Sequence, residues 1–277
     1  MQSKLLFGPA GTPHSSKSTS SVDGVKRVAE LGLGCMELEF VQGVRMGAET
    51  AKQVQQTMQN IGIRLSVHAP YYINLTSKEI EKQQASIKRI LDSARIGWLC
   101  GADSVVFHAA FYQGEDPKKV YQGVKSHLQD IVTTLKKEKN QTWIRPETTG
   151  KGSQFGTVDE IIELSLEIDQ VLPCIDFSHL HARSNGKMNS YKEFAGVLEL
   201  LNKKLGRKVL DTMHIHISGI KYGEKGEREH LNLKDSDFKY QELLKAFHDF
   251  KIAGYVICES PNLEEDALLL QKTYEKL

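Results

Sequence analysis

Eight short apolar runs of strand character, each followed by a longer stretch of helical periodicity, narrow what this chain can fold into more than any other feature. The strand-like runs are Lys4 to Phe7, Cys35 to Phe40, Arg64 to His68, Ser104 to His108, Thr142 to Glu147, Val171 to Asp176, Met213 to Ile217 and Tyr255 to Glu259. The helical stretches are Val22 to Leu31, Ala51 to Ile61, Lys78 to Leu99, Pro117 to Lys137, Val158 to Ile168, Tyr191 to Lys204, Asp237 to Phe250 and Glu264 to Lys276. Such alternation argues for parallel strands joined by helical crossovers. Eight units in 277 residues suit a closed barrel, which typically takes about 250 residues. The expectation is an α/β protein, a single (β/α)8 TIM barrel over residues 1–277. The rival, an open doubly wound sheet, would carry a glycine-rich phosphate turn after its first strand. Gly8-Pro9-Ala10-Gly11-Thr12 has neither the G-x-G-x-x-G nor the G-x-x-x-x-G-K spacing. Thr76-Ser77, Asp116-Pro117 and Thr157 are the helix-start signals that support three of the boundaries.

Charge and composition restrict the partners. With 36 basic against 35 acidic residues the formal charge is +1, so any attraction to a polyanion has to be local or supplied by metals. No apolar run is long enough to span a bilayer. The start, Met1-Gln2-Ser3-Lys4 leading into Leu5-Leu6-Phe7, is too short for the core of a secretory signal, and cytoplasm is the expected compartment. Cys35, Cys100, Cys174 and Cys258 form no C-x-x-C pair and read as reduced core residues.

The functional signal is positional. His68, His108, Glu147, Asp176 and Glu259 each end a strand-like run and His216 lies at the end of another. In an α/β barrel those ends converge on the face that carries active sites. Carboxylates and imidazoles crowded there would repel one another and lose hydration unless divalent metals took them as ligands. His179, three residues after Asp176, can join from the same turn. His181 and His214 each sit two residues from a stronger candidate, and for them a structural role is as reasonable as ligation.

These positions carry a resemblance to the endonuclease IV family of apurinic/apyrimidinic-site endonucleases. The carriers are Ser66-Val67-His68-Ala69-Pro70-Tyr71-Tyr72-Ile73-Asn74-Leu75, Val106-Phe107-His108, Pro146-Glu147-Thr148-Thr149-Gly150, Cys174-Ile175-Asp176-Phe177-Ser178-His179, His214-Ile215-His216-Ile217-Ser218-Gly219 and Cys258-Glu259-Ser260-Pro261. The resemblance covers most of the chain and implies two or three zinc ions, with manganese as an alternative in part. His68, His108 and Glu147 would surround one ion, and Glu147, Asp176, His216 and Glu259 a second, with Glu147 as the catalytic bridge. His179 would hold the third. Here the chain departs from the family pattern, in which an Asp-x-His pair completes that site: it reads Gly226-Glu227-Arg228-Glu229-His230, leaving His230 as the nitrogen ligand and either Glu227 or Glu229 as the carboxylate.

The same resemblance implies double-stranded DNA with abasic sites as partner, cut on the 5′ side, by a chain expected to act as a monomer. Tyr71 and Tyr72 occupy the segment that enters the duplex in that family; aromatic rings there can fill the gap left by a missing base, and stacking contributes about 1–3 kcal/mol per base. The alternative for either is packing beneath the loop. Arg45, Arg183 and Lys221 follow strand ends and are candidate phosphate contacts. Chemically, clustered divalent ions would screen a phosphodiester and activate water. The rival is a sugar isomerase or epimerase of the xylose-isomerase-like class, which needs only Glu147, Asp176, His216 and Glu259 around one metal; His68, His108 and His179 argue against it. A damage-binding metalloprotein that has lost turnover through its altered third site is a further alternative.

Overall fold

The computed structural model describes residues 4–277; Met1 to Ser3, the start of the segment too short for a secretory signal, lie outside the described residues. The chain runs β1 (Leu5–Pro9), α1 (Ser21–Glu30), β2 (Cys35–Glu39), α2 (Ala48–Ile61), β3 (Arg64–His68), α3 (Ile80–Cys100), β4 (Ser104–Phe107), α4 (Pro117–Lys137), β5 (Trp143–Pro146) and α5 (Val158–Glu167). It continues through β6 (Ile175–Asp176), α6 (Phe177–Arg183), α7 (Tyr191–Leu205), α8 (Arg207–Leu210), β7 (Met213–Ile217), β8 (Gly219–Gly223), β9 (Gly226–Leu231), α9 (Tyr240–Asp249), β10 (Gly254–Cys258) and α10 (Glu264–Tyr274).

Eight of these strands are parallel and form two four-stranded sheets, β1-β10-β7-β6 and β2-β3-β4-β5. Backbone hydrogen bonds join the sheets at both seams. At β1/β2, Gly34 N donates to Phe7 O at 3.0 Å and Gly11 N to Glu37 O at 2.9 Å; at β5/β6, Cys174 N donates to Pro146 O and Thr148 N to Cys174 O, both at 3.1 Å. The result is the TIM barrel that the alternation of strands and helices predicts. Its β6 is cut to two residues because Pro173 has no N–H to donate to a neighbour.

Local sequence explains most helix starts. Asp116 caps α4 by accepting from Lys118 N, with Pro117 in the first turn. Thr157 and Glu160 form a reciprocal capping box at α5. The Thr76-Ser77 expectation is corrected: Glu79 is the N-cap of α3 and makes no side-chain cap bond, while Ser77 Oγ accepts from Glu79 N at 3.2 Å in the turn before the helix.

Two features near the C-terminal ends of the strands were absent from the sequence expectation. The first is α6, seven residues long and too short to display a helical period. The second is the antiparallel hairpin β8–β9, whose strands are charged and glycine-flanked rather than apolar. All four cysteines are free and buried, and no helix among the described residues is long and apolar enough to cross a membrane.

Candidate metal centre

Each strand delivers its side chain by register. His68 and Asp176 are the last residues of β3 and β6; His108, Glu147 and Glu259 each follow the last residue of β4, β5 and β10; His216 is next to last in β7. Asp176 pairs with His216 across β6/β7. Directly paired residues of parallel strands share a face, and here that face is the barrel interior.

The side chains converge in overlapping sets. Ligand atoms of His68, His108 and Glu147 lie within 4.8 Å of one another, as do those of Glu147, Asp176, His216 and Glu259, and those of His179, Glu227 and His230. Glu147 belongs to the first two sets. Its Oε2 is 3.4 Å from His68 Nε2 and 3.1 Å from His108 Nε2, while its Oε1 is 3.1 Å from His179 Nδ1 and 3.3 Å from His216 Nδ1. Asp176 divides its two oxygens: Oδ1 caps α6 by accepting from His179 N at 2.6 Å, and Oδ2 turns to the cluster. Glu147 Oε2, Asp176 Oδ2 and Glu259 Oε2 are buried without a hydrogen-bond partner among the described residues. A buried carboxylate oxygen left in that state is costly unless a cation takes it.

Imidazole orientation follows from the atom behind each ring. His68 Nδ1 lies 2.7 Å from Ala69 O, His179 Nδ1 3.0 Å from Thr148 O, and His230 Nδ1 3.3 Å from Glu259 O. A ring that donates one N–H to a carbonyl keeps the lone pair of its other nitrogen for the cluster. His179 Nε2 and His230 Nε2 then face each other at 3.5 Å.

Electrostatics point the same way. Burial alone would raise the Glu147 carboxyl, but the imidazoles of His108 and His216 hold it well below its ordinary value. Burial pushes Asp176 well above the carboxylate range despite His179 beside it. Burial likewise opposes ionisation of Glu259, yet His216 holds it down to about 2. His68, which burial would lower, is raised to about 10 chiefly by Glu147 and Glu39. Protonated imidazoles and divalent cations therefore compete for the same carboxylates.

The open choice between the two hairpin carboxylates has a geometric answer. A β-bulge lies between Lys221 and Tyr222: Lys221 pairs with Glu229 but Tyr222 with Glu227, so Arg228 is the extra residue. The bulge shifts the alternation of side chains by one. Glu227 and His230, three residues apart, come to share the face toward the cluster, with Glu227 Oε2 3.6 Å from His179 Nε2. Glu229 points the other way, exposed and 2.7 Å from Lys221 Nζ. The hairpin docks closely because of Gly150, where a Cβ would stand 2.6 Å from Glu227 Cβ and 3.1 Å from His179 Cδ2.

The remaining candidates separate. Tyr71 and Tyr72 are 60% and 62% exposed on the loop after β3, which corrects the alternative of packing beneath it. The Tyr71 ring lies 5.6 Å from the His68 ring, and the Arg89 guanidinium sits 5.9 Å from the Tyr72 ring centre. Arg45 is exposed. Arg183 is turned inward, donating to the carbonyls of Lys151 at 2.6 Å and Gln154 at 3.0 Å, so it braces the loop after β5 rather than meeting phosphate; Lys221 is paired with Glu229. His181 is held by Asp237 at 3.0 Å and by Met188 O at 3.1 Å, and His214 by Glu37 at 3.0 Å; both have structural partners. A fourth grouping, Cys174, His214 and His216, lies wholly inside the barrel. Glu37 and the bulge at Arg228 escaped sequence reasoning because neither carries a motif, and Gly150, although it ends the Pro146 to Gly150 run, had no role assigned to it.

Similarity to known proteins places the chain in a family. The chain is 45% identical over 273 residues, 99% of its length and 98% of the other, to an uncharacterized protein of Methanocaldococcus jannaschii. It is 29% identical to a protein named probable endonuclease 4 of Mycoplasma genitalium, over 72% of this chain and 67% of that one. Among solved structures, endonuclease IV from Thermus thermophilus superposes with a TM-score of 0.73 at 18% identity, covering 97% of this chain and 98% of that one. A D-tagatose 3-epimerase-like protein superposes with the same TM-score of 0.73 at 18% identity, covering 99% and 96%. At such identities these superpositions speak to fold alone. The model of the family described as Xylose isomerase-like TIM barrel matches residues 25–276, and the chain belongs to that family.

Proposed function

We propose that this protein is a zinc-dependent deoxyribonuclease that cleaves the phosphodiester on the 5′ side of abasic sites in double-stranded DNA, a hydrolase of base excision repair. The observation that carries this reading is the set formed by His68 and His108 on Glu147 Oε2, beside the Glu147, Asp176, His216 and Glu259 set that a one-metal sugar enzyme would also need. The curated relatives named probable endonuclease 4 agree with it, as does the exposure of Tyr71 and Tyr72 beside the cluster, where rings can enter a duplex at a lesion. We further propose one domain acting as a monomer in the cytoplasm.

The donor set suits two or three divalent ions, zinc first and manganese as an alternative at part of the site: imidazoles, carboxylates and buried carboxylate oxygens without protein partners. His68, His108 and Glu147 would hold one, Glu147, Asp176, His216 and Glu259 a second, and His179, Glu227 and His230 a third. Such ions supply charge that screens the phosphodiester and lower the pKa of water. Glu147 keeps the first two sets at a fixed separation, the barrel wall excludes bulk water behind them, and Tyr71 and Tyr72 orient the damaged strand over the opening.

A sugar epimerase is the second reading, favoured by the same four-residue set and the equal likeness in fold to an epimerase-like protein. The test is a labelled duplex with one abasic-site analogue, incubated with metal-analysed protein with and without chelator, beside an intact duplex and the Glu147→Gln variant. Expected are chelator-sensitive cleavage at the lesion only and a loss of at least roughly 100-fold in the variant, the scale set by losing a metal ligand's support. No cleavage by fully metallated protein, or undiminished cleavage by the variant, overturns the proposal.

A further inference from the structure

We infer that Glu37, a side chain in the layer below the cluster, positions His216 and fixes which of its nitrogens faces the metals. The inference rests on the metal reading above and deepens it. Glu37 lies on β2, is fully buried, and pairs in register with Ser66 on β3. That interior layer of an α/β barrel is ordinarily filled by bulky branched residues, and an ionisable group there is unfavourable unless donors surround it. Donors do surround it: Glu37 Oε2 accepts from Ser66 Oγ at 2.7 Å and from His214 Nε2 at 3.0 Å.

Glu37 Oε1 lies 3.0 Å from His216 Nε2. The contact does not meet hydrogen-bond geometry, and neither atom has a hydrogen-bond partner among the described residues. On the far side of the same ring, His216 Nδ1 is 3.3 Å from Glu147 Oε1 and 3.3 Å from Glu259 Oε1. His68, His179 and His230 are backed by main-chain carbonyls, whereas His216 is backed by a carboxylate. A carboxylate behind a ligating imidazole holds the proton on the remote nitrogen, locks the ring plane and makes the near nitrogen a stronger donor. Ser66 and His214 complete this support by holding Glu37 itself in place. Glu37 belongs to none of the ligand sets, so its action is through His216.

The test titrates zinc from wild-type protein and from Glu37→Gln with a competing chelator, records melting temperatures of both with and without zinc, and reads the histidine nitrogens of zinc-loaded wild type by 15N NMR. We expect the variant to bind one ion about 10–100-fold more weakly, to match wild type in metal-free melting temperature, and to lose part of the zinc-induced rise. The NMR should assign the proton of His216 to Nε2 and the metal to Nδ1. A Glu37 that served only the fold would lower both melting temperatures alike and leave affinity unchanged, which overturns the inference; so does a metal on Nε2. If the variant fails to fold, the NMR on wild type decides. Wild-type protein that takes up no zinc removes the metal reading itself, whereas equal uptake by both proteins leaves that reading standing and removes only the role of Glu37.

Discussion

Glu227 and Glu229 are chemically alike, and one bulged residue decides their environments. Glu227 lies among His179 and His230, and Glu229 reaches only Lys221, at the surface. An exposed pair of this kind contributes about 0–1 kcal/mol. We expect Glu227→Gln to lower the number of tightly bound zinc ions by one and Glu229→Gln to leave it unchanged; metal analysis after dialysis reads this directly, and the reverse result would refute the assignment. At the same scale, Glu264 anchors the loop after β1 by accepting from His14 N at 2.9 Å and Ser15 N at 2.8 Å. Burial opposes its ionisation, but these N–H groups hold its carboxyl below the ordinary value of 4.5. A group whose folded pKa is depressed adds stability that is fully present above the unfolded value and is lost as pH falls through the folded one. Amide protection at His14 and Ser15 should therefore be flat at neutral pH and fall off below the usual carboxylate range, and Glu264→Gln should lose it at every pH. Protection that ignores pH in the wild type would count against this account.

At the scale of elements, the bulge in the hairpin β8–β9 brings Glu227 and His230, three residues apart, onto one face. In a regular strand, residues two apart share a face and residues three apart do not; the extra Arg228 restores the match for Glu227 and His230. Deleting Arg228 brings the two residues to a two-residue spacing and removes the bulge together, so the deletion should retain the zinc count of the wild type. Loss of an ion in the deletion, measured as above, would mean that the bulge does more than correct the register. This hairpin and α6 were not legible in the sequence for physical reasons. Gly226-Glu227-Arg228-Glu229-His230-Leu231 has no apolar alternation, because both of its faces meet polar partners, and α6, capped by Asp176 with Phe177 and Leu180 in the core, is at seven residues too short to display a helical period. The eight barrel strands, in contrast, were legible to within a few residues, since each is a buried apolar run; β6 is the exception, shortened where Pro173 interrupts its hydrogen bonds.

At the scale of the molecule, Glu147 after β5 shares a ligand set with Asp176, His216 and Glu259 from the other four-stranded sheet, so an ion bound there would act as a staple between the two sheets. Protein stripped by chelator should melt lower than zinc-loaded protein. Free zinc at about a thousand times its Kd stabilises by about 4 kcal/mol, and each kcal/mol moves the melting temperature of a chain near this size by roughly 2–4 °C, so a rise of roughly 10 °C on loading is expected by calorimetry. No shift would argue that these carboxylates hold no ion. The sequence by itself determined the number of strand–helix units and hence the barrel, and it put His68, His108, Glu147, Asp176, His216 and Glu259 at strand ends, because burial writes hydrophobic periodicity into each segment and the barrel gathers those ends on one face. Only the tertiary structure decided that Glu227 rather than Glu229 faces His230, that Arg183 braces a loop, and that Glu37 stands behind His216. Those outcomes depend on register between strands remote in sequence, and a register is a property of a pair of strands that neither strand carries alone.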